Sequence, residues 1–312
     1  MNNQSNPPWS GVFSAITTKI REDESIEYDA IQKHIDWQIN EGVHGIVALG
    51  SLGENMALTA EEKSQVLSIA SETCAGRVPL LSGVAESSTR AACRFIERTS
   101  ALGVDGFMVL PGIPYASDAR ETIEHYRVIA RATDARIMLY NNPVTYKVDL
   151  TPEICEELAD ERNIVAIKES SDNVRRITDL RNRIGTRLQI FTGVDDLAFE
   201  SLALGADGWV AGLVCAFPRE TVALYRFIKS GKLDDALNLY RWFTPLLHLD
   251  VSVKFVQNIK LVEALVGRGM ESVRQPRLPL DGEERERVVE IVNRAMSDRP
   301  SINIDKENQN VR

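Results

Sequence analysis

The amino-acid sequence predicts a (β/α)8 TIM barrel of the α/β class with a C-terminal helical extension, on three observations. Eight short apolar runs recur at a steady pitch, amphipathic stretches with helical spacing lie between them, and the runs are apolar on both faces. Strands without a polar face are covered by helices and pair in parallel through right-handed crossovers. Eight such units in roughly 200 residues fit a closed barrel better than an open doubly wound sheet, which shows fewer strands and a Gly-rich phosphate turn after the first. No GxGxxG or GxxxxGK[ST] occurs.

The predicted strands are GVFSAIT (11–17), GIVALG (45–50), VPLLSGV (78–84), GFMVLP (106–111), RIMLYNN (136–142), IVAIKES (164–170), LQIFTG (188–193) and GWVAGL (208–213). The first connection carries the helical pattern YDAIQKHIDWQINEG. The second, TAEEKSQVLSIASETC, opens with Thr59 as N-cap and Glu62 three residues on, a capping box. After the eighth unit come RETVALYRFIKSG, KLDDALNLYRWFTPLLHL, SVKFVQNIKLVEALVGRG and GEERERVVEIVNRAMS. The expected domains are a barrel over 10–217 and a helical bundle over 218–296 packed on it without a mobile linker. The polar ends, 1–9 and 297–312, are expected to fray.

With 312 residues, 44% of them hydrophobic, the chain can bury a large core. Its net charge of -9, with no cluster of Lys and Arg, disfavours nucleic acid or an anionic membrane as partner and points to a small molecule. Cys74, Cys93, Cys155 and Cys215 form no CxxC pair, so reduced thiols and a cytoplasmic location are expected. The first nine residues show no basic-then-apolar leader, and no run of about 18 apolar residues is present, so neither a signal peptide nor a membrane span is expected.

The C-terminal strand ends carry the active site in such a barrel. Lys168 closes the sixth run, and an ammonium removed from water costs several kcal/mol unless paired, so it tends to shed its proton and become a nucleophile. Tyr140 ends the fifth run, and neighbouring strands about 4.8 Å apart would set its phenol beside that amine. An amine of this kind attacks carbonyl or imine carbon to give a Schiff base, and a tyrosine can relay the protons. The bland alternatives are a snorkelling lysine and an aromatic at the edge of the core. In GSLGEN, the Ser51 hydroxyl and the amides of Ser51 and Leu52 suit a carboxylate; the alternative is a plain tight turn. In TGVDD, Asp195 or Asp196 would cap the helix that follows, and the other would meet a substrate hydroxyl. His34, His44, His125 and His248 show no ligand spacing, so no catalytic metal and no cofactor are expected.

GSLGEN, LYNNP, IVAIKESSDN and TGVDD, in that order and at those strand ends, resemble the signatures of the dihydrodipicolinate synthase and N-acetylneuraminate lyase family, over roughly 11–280. The resemblance implies a class I aldolase-type barrel, usually a homotetramer, that binds a 2-oxo acid covalently. It implies Lys168 as the Schiff-base lysine, Tyr140 as the proton relay, and Ser51 as the hydroxyl that contacts the substrate carboxylate or completes the relay. Leu52, Gly193, Asp195 and Gly212 are the implied substrate contacts. Thr145 stands where the synthases carry an arginine for a second carboxylate, which disfavours lysine biosynthesis. Gly212 stands where the lyases carry a serine, which disfavours a long sialic-acid-like substrate, and Leu52 replaces a loop threonine. The family's cross-subunit tyrosine falls at Ile113 or Pro114, with Tyr115 just beyond. YNNPVTYKVDLTP and the segment 252–280 look most like the 1-pyrroline-4-hydroxy-2-carboxylate deaminases of 4-hydroxyproline breakdown. The rivals are a 2-keto-3-deoxy sugar acid dehydratase or aldolase, a dihydrodipicolinate synthase-like enzyme, and a catalytically silent barrel that only binds 2-oxo acids.

Overall fold

A computed structural model describes residues 9–112 and 115–302. Eight parallel strands close into a barrel in chain order: β1 (Gly11–Ala15), β2 (Gly45–Ala48), β3 (Leu80–Val84), β4 (Gly106–Val109), β5 (Arg136–Asn141), β6 (Ile164–Glu169), β7 (Gln189–Thr192) and β8 (Gly208–Ala211), the last pairing with β1. Each lies inside its predicted run and is shorter by one or two residues at an end. All of β1, β2, β3, β4 and β8 is buried, as strands covered by side chains within and helices without must be. Phe13 and Phe191 meet edge to face inside, their centroids 5.2 Å apart, so the interior is packed rather than open.

The helices are α1 (Tyr28–Asn40), α2 (Ala60–Cys74), α3 (Thr89–Ser100), α4 (Ala119–Arg131), α5 (Pro143–Tyr146), α6 (Pro152–Leu158), α7 (Arg175–Ile184), α8 (Ala198–Ala203), α9 (Pro218–Lys229), α10 (Leu233–Leu247), α11 (Phe255–Leu265) and α12 (Gly282–Ser297). Thr59 and Glu62 form the expected capping box on α2, and Asp118 with Glu121 forms another on α4. Such a cap stabilises by about 1 kcal/mol.

Three boundaries differ from expectation. The barrel was expected to end at residue 217, but α9 packs on β8 and β1, where the eighth outer helix belongs, so the extension begins after it. The N-terminal stretch expected to fray ends in Trp9, which is 3% exposed and part of the core. At the other end Arg299 pairs with buried Glu220 at 2.6 Å, so the chain is docked through that residue. At Trp9 and Arg299, apolar area and a paired charge outweigh the polar composition around them.

The extension is bolted to the barrel through α11. Lys260 pairs with Glu54 of the loop after β2 at 2.6 Å, and Glu263 accepts from Lys19 at 2.8 Å and from Thr17, with both ion pairs fully buried. Among the described residues no helix is long and apolar enough to cross a membrane. Cys74, Cys155 and Cys215 are buried free thiols, and Cys93 is half-buried.

Candidate active site

Register sets the centre of the site. Tyr140 on β5 and Lys168 on β6 are direct Cα partners, so both side chains leave the sheet on the same face at the C-terminal mouth. The Lys168 Nζ stands 4.5 Å from the centroid of the Tyr140 ring, over its face, and Lys168 is only 8% exposed. Burial holds the lysine pKa below its ordinary value, while the charges of Asp250 and Asp195 pull it upward. At Gly193 a β-carbon would come within 2.3 Å of the Lys168 Cε, so the lysine stem runs through space that another residue would fill.

The loop after β2 supplies the hydroxyl. Leu49 and Glu54 bracket it in the left-handed region, at φ 57° and 55°, a conformation disfavoured for both residue types. The surroundings hold it there. Asn55 Nδ2 donates to the Leu49 carbonyl at 2.7 Å, and the Glu54 carboxylate accepts from Lys260 and from the Arg274 amide. Ser51 and Leu52 consequently face the mouth. The amides of both residues donate no hydrogen bond among the described residues, which leaves them for an anion.

A second phenol arrives from β5. Asn142 caps a single helical turn by accepting from the Thr145 amide, Pro143 occupies its first position, and left-handed Lys147 ends it. The turn carries Tyr146 back over the mouth. Its hydroxyl meets Ser51 Oγ at 2.5 Å, and its ring sits edge-on to Tyr140, with centroids 5.8 Å apart. Asn142 Nδ2 also donates to the Tyr140 hydroxyl at 3.2 Å. Burial raises the pKa of both phenols, keeping them protonated as donors.

Lys168, Tyr140, Ser51, Leu52, Gly193 and Gly212 thus line one cavity of about 120 Å³. Asp195 does not. Fully buried, its carboxylate accepts from Trp209 Nε1 at 2.9 Å, Leu213 N at 2.8 Å and Gly212 N at 3.2 Å, so it shapes the end of β8. Burial raises its pKa to about 6. Neither aspartate caps α8 with its side chain; Asp196 instead accepts from His248 Nδ1 at 2.7 Å. The expectation of one capping aspartate and one substrate contact fails because nearby donors claim both carboxylates. His34 and His125 are buried and His44 is half-buried, all three bonded to main chain, and no group of three His, Cys, Asp or Glu able to hold a metal occurs among the described residues. Tyr115 is 65% exposed and outside the cavity lining, while Ile113 and Pro114 lie outside the described residues.

Sequence reasoning missed Tyr146, Ser170 and Asp250. Ser170 ends the β6 run, and its buried hydroxyl lies close enough to Tyr140 to lower that phenol's pKa. Tyr146 stands in the quoted YNNPVTY, where the Asn-Pro cap could have signalled a turn back toward the mouth. Asp250 comes from the extension, and nothing in its own segment marks it.

A closed (β/α)8 barrel with a buried amine, two phenols and a serine hydroxyl at its mouth fits an aldolase-type lyase. The model of the dihydrodipicolinate synthetase family matches residues 8–295, and the chain belongs to that family. It is 35% identical to the 4-hydroxy-tetrahydrodipicolinate synthase of Phocaeicola vulgatus over 77% of this chain and 81% of that one. The structure of the 4-hydroxy-tetrahydrodipicolinate synthase from the methanotroph Methylacidiphilum fumariolicum SolV superposes with a TM-score of 0.89, at 27% identity, covering 93% of this chain and 96% of that one. The dihydrodipicolinate synthase from Acinetobacter baumannii, solved with pyruvate, gives 0.88 at 26% identity, covering 92% and 99%. These relatives bear the synthase name, and the deaminase branch expected from YNNPVTYKVDLTP has no support among them.

Proposed function

We propose that the protein is a lysine Schiff-base lyase for a short 2-oxo acid or its cyclic imine, and in particular a 1-pyrroline-4-hydroxy-2-carboxylate deaminase. One observation carries the choice: among the described residues Lys168 is the sole basic side chain lining the cavity, while Asp172 and Asp250 line it as acids. A substrate with one carboxylate and a hydroxyl suits that lining better than one with two carboxylates. Lys168 attacks C2 and transimination opens the ring. Loss of a C3 proton gives the enamine, which expels the 4-hydroxyl as water. Tautomerisation and hydrolysis then release ammonia and 2,5-dioxopentanoate. The Ser51 and Leu52 amides hold the carboxylate, and Tyr140 moves protons at the carbinolamine, with Tyr146 and Ser51 as the outer link of the relay.

A second reading, 4-hydroxy-tetrahydrodipicolinate synthase, draws on the names of the relatives. Its structural support is Arg277, whose charge reaches Tyr146 and which could meet a second carboxylate at the rim. Supplying the pyrroline in one assay and pyruvate with aspartate semialdehyde in another separates the two. Ammonia from the first is the expected result; condensation in the second without ammonia from the first would sink the deaminase. A homotetramer and a cytoplasmic location belong to the same proposal, drawn from the family resemblance and from the free thiols.

A further inference from the structure

We propose that Asp250 is the general acid that protonates the hydroxyl leaving from C4 of the substrate, an inference that rests on the dehydrating reaction proposed above. Asp250 belongs to the short turn His248–Val251, which follows α10 in the extension. Its carboxyl reaches across the end of β8. A β-carbon at Gly212 would lie 2.2 Å from Oδ1 and 3.0 Å from Oδ2, so the acid occupies the space that a side chain there would take. That placement brings it to the cavity wall, which Lys168 also lines.

The turn is held from two sides. His248 Nδ1 meets Asp196 Oδ2 at 2.7 Å, and Asn258 Nδ2 of α11 donates to the Leu249 carbonyl and to Ser252 Oγ, each at 2.9 Å. The backbone on both sides of Asp250 is therefore fixed, as a proton donor requires.

The carboxyl of half-buried Asp250 differs from the buried acids around the mouth. Glu54 is bonded to Lys260 and the Arg274 amide, Glu263 to Lys19 and Thr17, Asp195 to an indole and two amides, and Glu169 to Asn141 and the Ser171 amide. The Asp250 carboxyl has no hydrogen-bond or ion-pair partner among the described residues. A carboxyl drawn partly out of water with no donor to it favours its neutral form, and a neutral carboxyl is itself a donor. Burial and the charges of Asp195 and Asp196 raise its pKa, while Lys168 opposes them; the Tyr140 phenol also faces it.

In the enamine, the nitrogen lone pair re-forms the C2=N bond to Lys168 and the C2=C3 pair becomes C3=C4 as the C4–O bond breaks. The departing oxygen takes the Asp250 proton and leaves as water. The carboxylate left behind stands in the field of the new iminium and regains its proton from solvent.

The test uses the full chain, Asp250→Asn and two substrates, the 4-hydroxy pyrroline and its 4-fluoro analogue, whose fluoride leaves without being protonated. Borohydride trapping of pyruvate on Lys168 checks folding and Schiff-base formation separately. Expected are a retained adduct, a fall of about 100-fold or more in kcat for ammonia release from the hydroxyl substrate, and a much smaller fall for the fluoride. In the wild type, kcat should fall toward high pH with the hydroxyl substrate and not with the fluoride, a readout that needs no variant. Asp250→Asn within about threefold of wild type on the hydroxyl substrate, or equal losses on both, would overturn the role of Asp250 alone. A wild type that traps pyruvate yet releases no ammonia overturns the deaminase reading and this inference with it.

Discussion

The two ends of the barrel are built by opposite rules. At the N-terminal end Trp9, His44 and Tyr225 close the interior with neutral groups, and His44 Nδ1 accepts the Val12 amide at 3.1 Å. At the C-terminal mouth titratable groups gather instead: buried Lys168 and Asp195, half-buried Asp250, and around them the buried pairs Lys260–Glu54 and Lys19–Glu263. Buried ion pairs are often no more stabilising than well-packed apolar side chains, and an unpaired buried charge is costly. Stability alone would not gather these groups at one end. On the proposed function, the mouth gives up stability to hold a reactive amine, and the floor keeps the strands in register beneath it.

The contrast is sharpest at Lys168. Lys168→Ala should abolish the borohydride-trapped adduct and lower turnover by more than about 10³-fold, while the free energy of unfolding holds or rises because a buried amine without an ion-pair partner is gone. Mass spectrometry and urea denaturation check the two halves. A variant that lost stability and kept its adduct would erase the distinction between the ends.

Next in size is the bolt between extension and loop. Lys260→Met strands the Glu54 carboxylate, fully buried, and should cost about 3–5 kcal/mol in urea denaturation. Adding Glu54→Leu should restore most of that stability without restoring activity, because the left-handed backbone at Glu54 would lose its anchor. Restored activity in the double variant would show that the pair does not position Ser51.

The strand-borne part of this site was legible in the sequence, since a period of two and a common register fix where Tyr140 and Lys168 point once eight strands are recognised. Glu54 and Lys260 are 206 positions apart, and Asp250 reaches Gly212 from a turn outside the barrel, so no local pattern encodes either meeting. The two aspartates of TGVDD looked alike in one dimension. They diverge because Trp209 and the Gly212 and Leu213 amides surround the first, and His248 meets the second.

Smaller effects are expected where the relay leaves the strands. Tyr146→Phe removes the partner of Ser51 and should lower kcat by about 10–100-fold. Ser51→Ala should cost a similar factor, and the double variant little more than either, since both break one link. Fully additive losses in that cycle would separate the two hydroxyls into independent roles.

The smallest effect tests the floor through pH. Burial, aided by Arg226, holds the His44 pKa down to about 4, below the ordinary 6.5. Between those values the unfolded chain binds a proton that the folded chain refuses, so the stability is present above about pH 6.5 and is lost as pH falls toward 4. Asp195 at the mouth works the other way. Raised to about 6 from 3.8, it is protonated in the folded state first, so acidification through that window adds stability. His34, also held down to about 4, acts in the same sense as His44. His44→Gln keeps an acceptor for the Val12 amide and removes one titration, so its urea midpoint should change less unfavourably than wild type from pH 7 to pH 5, by about 1–2 kcal/mol. Asp195→Asn should move that difference in the opposite direction. Variants that shift it the same way would mean that the two ends do not answer acid oppositely.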